Sequence, residues 1–510
     1  MRRIAVVALL VIVCQNMTAA AETAVKSALS SINAADLRRH VERLADDTLE
    51  GREAGSRGGQ AAGHYLGREF QRHGLAGGAN SRSYYQSFGA QYRNILGLLE
   101  GSDPKFKSEM LLIGAHYDHV GYGNAQNSYG PTGYIHNGAD DNASGVAGLL
   151  ELIEAFSRLE QRPKRSILFA LWDGEEKGLL GSEHWVSQPT VPLERVKLAI
   201  NLDMIGRLGR NRVETYGIRT TYGLRRYVSM ANAVSDLPFD FSWTMREDSD
   251  HYSFYKRNVP VLMFHSGLHS DYHRPSDDVE KLDFAGMERI TQMLFTFLHD
   301  TADAPKLYGF RSASRSENAE TRRRQEQPLP PLPSRLGIAW RPADEGGQGG
   351  VVVANVMPTS PASRAGLRVG DRIVQFADQE VKRGADLRDL VLTAESPVSV
   401  NVERSGAQQP LKFNVQLTGP PIRLGISWRS DDAEPGVVIV ARVVPGSPAA
   451  NAGIRVNDRI YEVAGQAFSG DAELRQLLAE HVGPLDLLTE RQGRLRRISL
   501  TPLSAPATEF

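Results

Sequence analysis

"GADDNASGVAGLLELIEAFSRL", Gly138 to Leu159, joins an acidic, small-residue segment to an amphipathic run. Its second half places Val146, Leu149, Leu150, Ile153 and Phe156 on one face of a helix. Its first half sets two aspartates side by side and follows them with nothing larger than Asn before the helix begins. Around it, the apolar runs "MLLIGAH", "SILFALW", "KLAINLD" and "VPVLMFH" are separated by helix-like stretches. That alternation predicts an α/β fold, a mixed and largely parallel central sheet flanked by helices. Upstream, about Ala35 to Leu75 reads as helical, broken by a Gly-rich turn from Gly51 to Gly59.

The chain has 510 residues with 41% hydrophobic content, enough for more than one domain. Lys+Arg 59 against Asp+Glu 60 leaves a formal charge of −1, so no global field argues for nucleic acid or an anionic membrane. The opening "MRRIAVVALLVIVCQNMTAAAET" has two arginines, an apolar run from Ile4 to Cys14 and small residues at Ala19 to Ala21. It reads as a bacterial signal peptide over residues 1–21, and its apolar run is too short to leave a stable membrane span. Cys14 is the only cysteine, so the exported chain, periplasmic or secreted, carries neither a disulfide nor a thiolate-bound metal. Val13 stands where a lipid-anchoring box wants a small residue.

The α/β pattern ends near residue 310. Arg311 to Ser334 is charged, then proline-rich, and reads as an extended linker. Beyond it "RLGIAW" at Arg335 returns as "RLGISW" at Arg423, and "SPASRAGLRVGDRIV" at Ser360 returns as "SPAANAGIRVNDRIY" at Ser447. Two copies of one small β-rich domain follow, 335–420 and 421–505. The unit resembles PDZ domains of the bacterial protease-associated kind. That resemblance implies that the loops Leu336, Gly337, Ile338 and Leu424, Gly425, Ile426 offer backbone N–H groups to the terminal carboxylate of a peptide or partner protein.

Metal-competent residues fall just past the ends of the apolar runs: His116 and Asp118, Glu175 and Glu176, Asp203, and a histidine beyond "VPVLMFH". In open α/β sheets that edge is where sites form. Each segment alone has an ordinary structural reading, as a turn or a helix cap; all in order favour a site. Imidazole and carboxylate suit zinc, and two zinc ions about 3.5–4 Å apart need a shared anionic bridge. The expectation is that Asp140 bridges, with Asp141 and the small residues letting the backbone hold it close. His116 with Asp203 completes one zinc, Glu176 with His273 the other, and the Asp118 carboxylate accepts the second N–H of His116. Glu175, left without a metal, becomes the general base toward a bridging water.

With those residues in place, about Asp36 to Asp300 resembles the co-catalytic zinc aminopeptidases, including bacterial leucyl-type enzymes. The matching strings are "AHYDHVG", "GADDNASGV", "DGEEKGLLGS", "NLDMIGR", "YHRPSDD" and the early "TLEGREAGSRGG". The resemblance implies a zinc exopeptidase-like fold over 22–310, two Zn2+ ions, the same ligand assignments, and removal of N-terminal residues from peptide substrates. It also selects His273 over His265 and His269, through the Tyr-His-x-x-x-Asp pattern ending at Asp277. His251 reads as a pocket or structural residue, and His119 and His184 as structural or pocket-edge residues. Related chemistries stay open: a carboxypeptidase or dipeptidase of the same family, or an interaction protein led by its PDZ pair.

Overall fold

The computed structural model describes residues 23–341, 349–481 and 483–503; the expected signal peptide and Cys14 lie outside them. Among the described residues no helix is long and apolar enough to cross a membrane. The chain divides into two compact units, one running to Arg322 and including Gln492–Leu495, the other holding the rest of the chain from Arg323.

The first unit is built on a nine-stranded sheet: β1 (Ala76–Gly77), β2 (Tyr85–Phe88), β3 (Tyr92–Leu99), β4 (Met110–His116), β5 (Ser166–Trp172), β6 (Val196–Leu202), β7 (Val213–Tyr216), β8 (Phe239–Phe241) and β9 (Val261–His265). Its order is β1-β3-β5-β4-β6-β9-β7-β8, with β2 beside β3. The centre, β5-β4-β6-β9, is parallel, and antiparallel pairs flank it. The central runs are apolar throughout because both faces are covered. Leu111, Ile113, Ile167 and Phe169 pack on one side, beneath helices Ala34–Leu44, Gly145–Ser157 and Phe284–Asp303. Leu112, Leu168 and Trp172 pack on the other with Trp185 and Phe254, from helices Leu180–Ser187 and His251–Lys256. The N-terminal helices start where the chain supplies caps, Asn33 for Ala34–Leu44 and Ser56 for Arg57–Arg72.

The helix Gly145–Ser157 also buries an acid. Glu151 accepts the Asn33 N–H at 3.3 Å, and its other oxygen lies 3.9 Å from His40 Nε2. Burial pushes the Glu151 carboxyl up from 4.5 to about 8, opposed only in part by the Asn33 amide. The folded state therefore holds a proton that the unfolded chain has released. This stabilisation is complete below the unfolded value and fades as pH rises toward 8. Burial lowers His40 to about 3, so its own term titrates below pH 6.5. The expected result is that Glu151 contributes a loss of about 1–2 kcal/mol of stability between pH 6.5 and 8. Glu151→Gln should reduce the pH slope by that amount relative to the parent, which unfolding midpoints of both proteins at the two pH values check.

The segment read as an extended linker is only partly extended. Arg311 donates to Glu317 at 2.6 and 2.8 Å, and Glu317 also accepts from Arg219 at 2.7 and 2.9 Å. Asn318 then caps a helix, Ala319–Glu326. Hydropathy misses this because the order comes from a half-buried ion cluster and a cap rather than from apolar burial. Residues 327–334 carry neither helix nor strand.

The second unit holds the two repeats, each a six-stranded antiparallel sheet: β10 (Ile338–Trp340) to β15 (Leu411–Val415), then β16 (Ile426–Ser430) to β21 (Arg494–Leu500). β10 and β16 are edge strands. The glycine before each has a positive φ, +80° at Gly337 and +81° at Gly425. A Cβ there would stand 2.2 Å from the Cβ of Ser360 or Ser447, so no larger residue fits. Leu336 and Leu424 are buried in the two cores. An ion pair recurs as well, Arg404 to Asp371 at 2.7 Å and Arg491 to Asp458 at 2.6 Å.

Candidate active site

His116 closes β4, Asp203 follows β6, Glu175 and Glu176 lie just past β5, and His273 sits in the loop beyond β9. Because β5 and β6 pair with β4 on opposite sides, the sheet has a switch point there and opens a crevice at the carboxyl ends of its strands. The aspartates enter on the turn Ala139–Ser144. Gly138, at φ +55°, precedes them; a Cβ there would lie 2.5 Å from the His119 ring. Arg52, fully buried, donates at 2.6–3.0 Å to the carbonyls of Leu44, Tyr117, Asn137 and Gly138, tying the early segment to this turn. Asp277 Oδ2 accepts the N–H groups of Asp140 at 2.9 Å and Asp141 at 3.0 Å.

The carboxylate at the centre is that of Asp141. Its Oδ1 lies 3.3 Å from His116 Nε2, which is itself 3.5 Å from Asp203 Oδ1. Its Oδ2 lies 3.2 Å from His273 Nε2, which is 3.1 Å from Glu176 Oε2. Zinc bonds of about 2.0–2.2 Å in a tetrahedron separate ligand atoms by roughly 3.3 Å. These pairs therefore stand at the spacing a shared cation imposes. Electrostatics argue the same way, since Asp141, Glu175, Glu176 and Asp203 crowd together with little exposure. Burial pulls the His273 imidazole down, yet Asp141 and Glu176 outweigh it and hold it at about 10. A pocket that keeps an imidazole charged is short of positive charge. Burial likewise pushes the Glu175 carboxyl well above the usual carboxylate range, against the pull of His116 and with the push of Glu176.

Residues 94–298 match the model of peptidase family M28, and residues 334–417 and 439–488 match PDZ domain models. This chain carries an M28 peptidase domain followed by two PDZ domains. It is similar to aminopeptidase YwaD of Bacillus subtilis, 30% identical over 210 residues, 39% of this chain and 42% of the relative. Leupeptin-inactivating enzyme 1 of Streptomyces exfoliatus is 29% identical over 175 residues, 34% and 36% of the two chains. The chain spans less than half the length of these two relatives. The solved LapA aminopeptidase of Legionella pneumophila is 21% identical, with a TM-score of 0.46 over 56% of this chain and 75% of that one.

Within the M28 domain, four of the expected ligands, His116, Glu176, Asp203 and His273, meet around one carboxylate. The expectation for Asp140 is corrected. Asp140 turns away, with Oδ1 accepting the Gly206 N–H at 2.6 Å and Oδ2 3.2 Å from His269. The turn is locked in this register by Asn142, which spans Leu202 and Met204, and by Ser144, which spans Asp140 and Ile205. These contacts come from the end of β6 and the segment after it, Leu202 to Gly206, and lie beyond any local reading of the sequence.

The Asp118 expectation is corrected as well. His116 Nδ1 lies 3.2 Å from the Asp118 backbone carbonyl and 3.9 Å from its carboxylate. The carboxylate instead accepts the N–H groups of Glu175 at 3.0 Å and Glu176 at 3.3 Å, fixing both glutamates at once. His119, read as structural or pocket-edge, reaches the cluster with Nδ1 2.7 Å from Glu176 Oε1. Its signal was the spacing His-x-x-His in "HYDH". His251 is buried against the Arg246 carbonyl at 3.0 Å, and burial lowers it to about 4. His184 stacks on Phe88.

Proposed function

We propose that this protein is an exported, zinc-dependent aminopeptidase that removes N-terminal residues from peptides, with two metal ions in one site. The observation that carries the reading is the placement of Asp141, whose two oxygens face two separate histidine and carboxylate pairs. His116, Asp203 and Asp141 would hold one ion; Asp141, Glu176 and His273 the other. Bound there, the ions supply Lewis acidity toward a scissile carbonyl and acidify water.

The chain's own residues do the rest. Glu175, beside the Glu176 ligand and lining the same cavity as His116 and Asp141, takes the proton of the attacking water and returns it to the leaving amine. Asp118 aims Glu175 and Glu176 through their backbone amides. Ser249 donates to Asp203 at 2.6 Å and sets which oxygen faces His116. His119 orients Glu176.

The relatives named aminopeptidases support the direction of cleavage, and the opening leader-like segment supports export. In the first PDZ domain, Leu336, Gly337 and Ile338 line an apolar cavity of about 530 Å³ with Val391 and Leu392, and Leu332 of the preceding segment and Val443 of the second repeat close its other walls; such a cavity suits the last residues of a peptide. Leu424, Gly425 and Ile426 take the same role in the second. Peptides blocked at one end or the other, followed by product mass, test the reading. Cleavage is expected only where the N-terminus is free, and release of residues from the carboxyl end of N-blocked peptides overturns it.

A further inference from the structure

Arg246 lines the cavity that holds His116, Asp141, Glu175 and Asp203, and none of the chemistry above uses it. It lies between β8 and the helix His251–Lys256, with its carbonyl held by His251 Nε2. Its side chain rests over the Tyr216 ring, 5.0 Å from the centroid. Two carboxylates stand near it, Asp248 at 3.6 Å and Glu214 at 3.9 Å, both beyond hydrogen-bond reach. Glu214 accepts from the Tyr216 hydroxyl, and Asp248 is 58% exposed. Among the described residues the Arg246 guanidinium makes no hydrogen bond.

Other arginines of this domain behave differently. Arg52 spends its donors on four carbonyls, and Arg207 pairs with Asp271 at 2.7 Å. Arg246 keeps an unfilled planar fork of donors at a cavity whose other walls include Met204, Met263 and Leu268. The group that fits such a fork is a carboxylate.

We infer that Arg246 receives a carboxylate of the substrate, a step that rests on the peptidase reading above. Asp248 holds the arginine loosely until that carboxylate replaces it. Two sources share this chemistry: the side chain of an N-terminal Asp or Glu, and the free terminal carboxylate of a very short peptide.

The test compares the zinc-loaded protein with Arg246→Met and Arg246→Lys in two arms. Glu-p-nitroanilide against Leu-p-nitroanilide reads the side-chain source, and Leu-Gly against Leu-Gly-amide reads the terminal source. In at least one arm, Arg246→Met should lower kcat/KM for the carboxylate-bearing substrate about tenfold more than for its uncharged partner. The effect should fall mainly on KM, and Arg246→Lys should recover part of it. Calorimetric titration with glutamate against glutamine, and leucine against leucinamide, reads the same arms without turnover. If neither the kinetic nor the calorimetric ratio moves more than twofold in either arm, the inference is overturned. Failure to cleave any of the four substrates would overturn the peptidase reading instead, and the titrations would still decide Arg246.

Discussion

Glu175→Gln is expected to keep its zinc and lose turnover by about 10²–10⁴-fold, the usual contribution of a positioned general acid-base. The substitution preserves shape and the backbone N–H that Asp118 accepts at 3.0 Å, so Glu176 stays aimed. It removes only the group that can take a proton from water. The loss should therefore appear in kcat, with KM little changed. Zinc content together with steady-state kinetics on an N-terminally free peptide checks this. Native turnover in a metal-loaded variant would remove Glu175 from its role.

The second large effect separates two neighbouring aspartates. Asp141→Asn should lose both metal ions and lower activity by about 10³-fold or more, because one carboxylate serves both histidine and carboxylate pairs. Asp140→Asn should keep its metal. Its oxygen can still accept the Gly206 N–H, so the cost is a weakened charge-assisted hydrogen bond, about 1–2 kcal/mol of stability. Metal analysis of the two variants decides between them, and an Asp140 variant that loses zinc while Asp141→Asn retains it would reverse the assignment. Chelation should act like Asp141→Asn on stability. Asp141, Glu175, Glu176 and Asp203 would then face one another without a cation. A ligand present at a thousandfold over its Kd stabilises by about 4 kcal/mol, so the unfolding midpoint should fall measurably on removing it.

Much of the site was legible before folding because each contributing segment ends an apolar run, and the ends of parallel strands share one edge of the sheet. The structure brings His116, Asp203 and the Glu175-Glu176 pair together along that edge. The repeats were legible for a related reason. Each copy keeps its loop glycine, Gly337 or Gly425, where a Cβ would clash, and its leucine, Leu336 or Leu424, buried in the core. Arg246 was not legible. It ends no strand and matches no ligand spacing, and only the cavity that it shares with the acids draws attention to it.

By itself, the sequence determined the α/β architecture, the presence of a metal-competent edge and the tandem β-rich repeats. These follow from local periodicity, from strand ends and from self-similarity, all of which act over short stretches of chain. Tertiary structure alone decided which aspartate faces the histidines, that the Asp118 carboxylate grips two backbone amides rather than an imidazole, and that Arg311, Arg219 and Glu317 order part of the linker. Each of those outcomes depends on hydrogen bonds between residues distant in sequence. Two adjacent side chains in a turn point in different directions, and it is the contacts from Asn142 and Ser144 to the segment after β6 that choose between them.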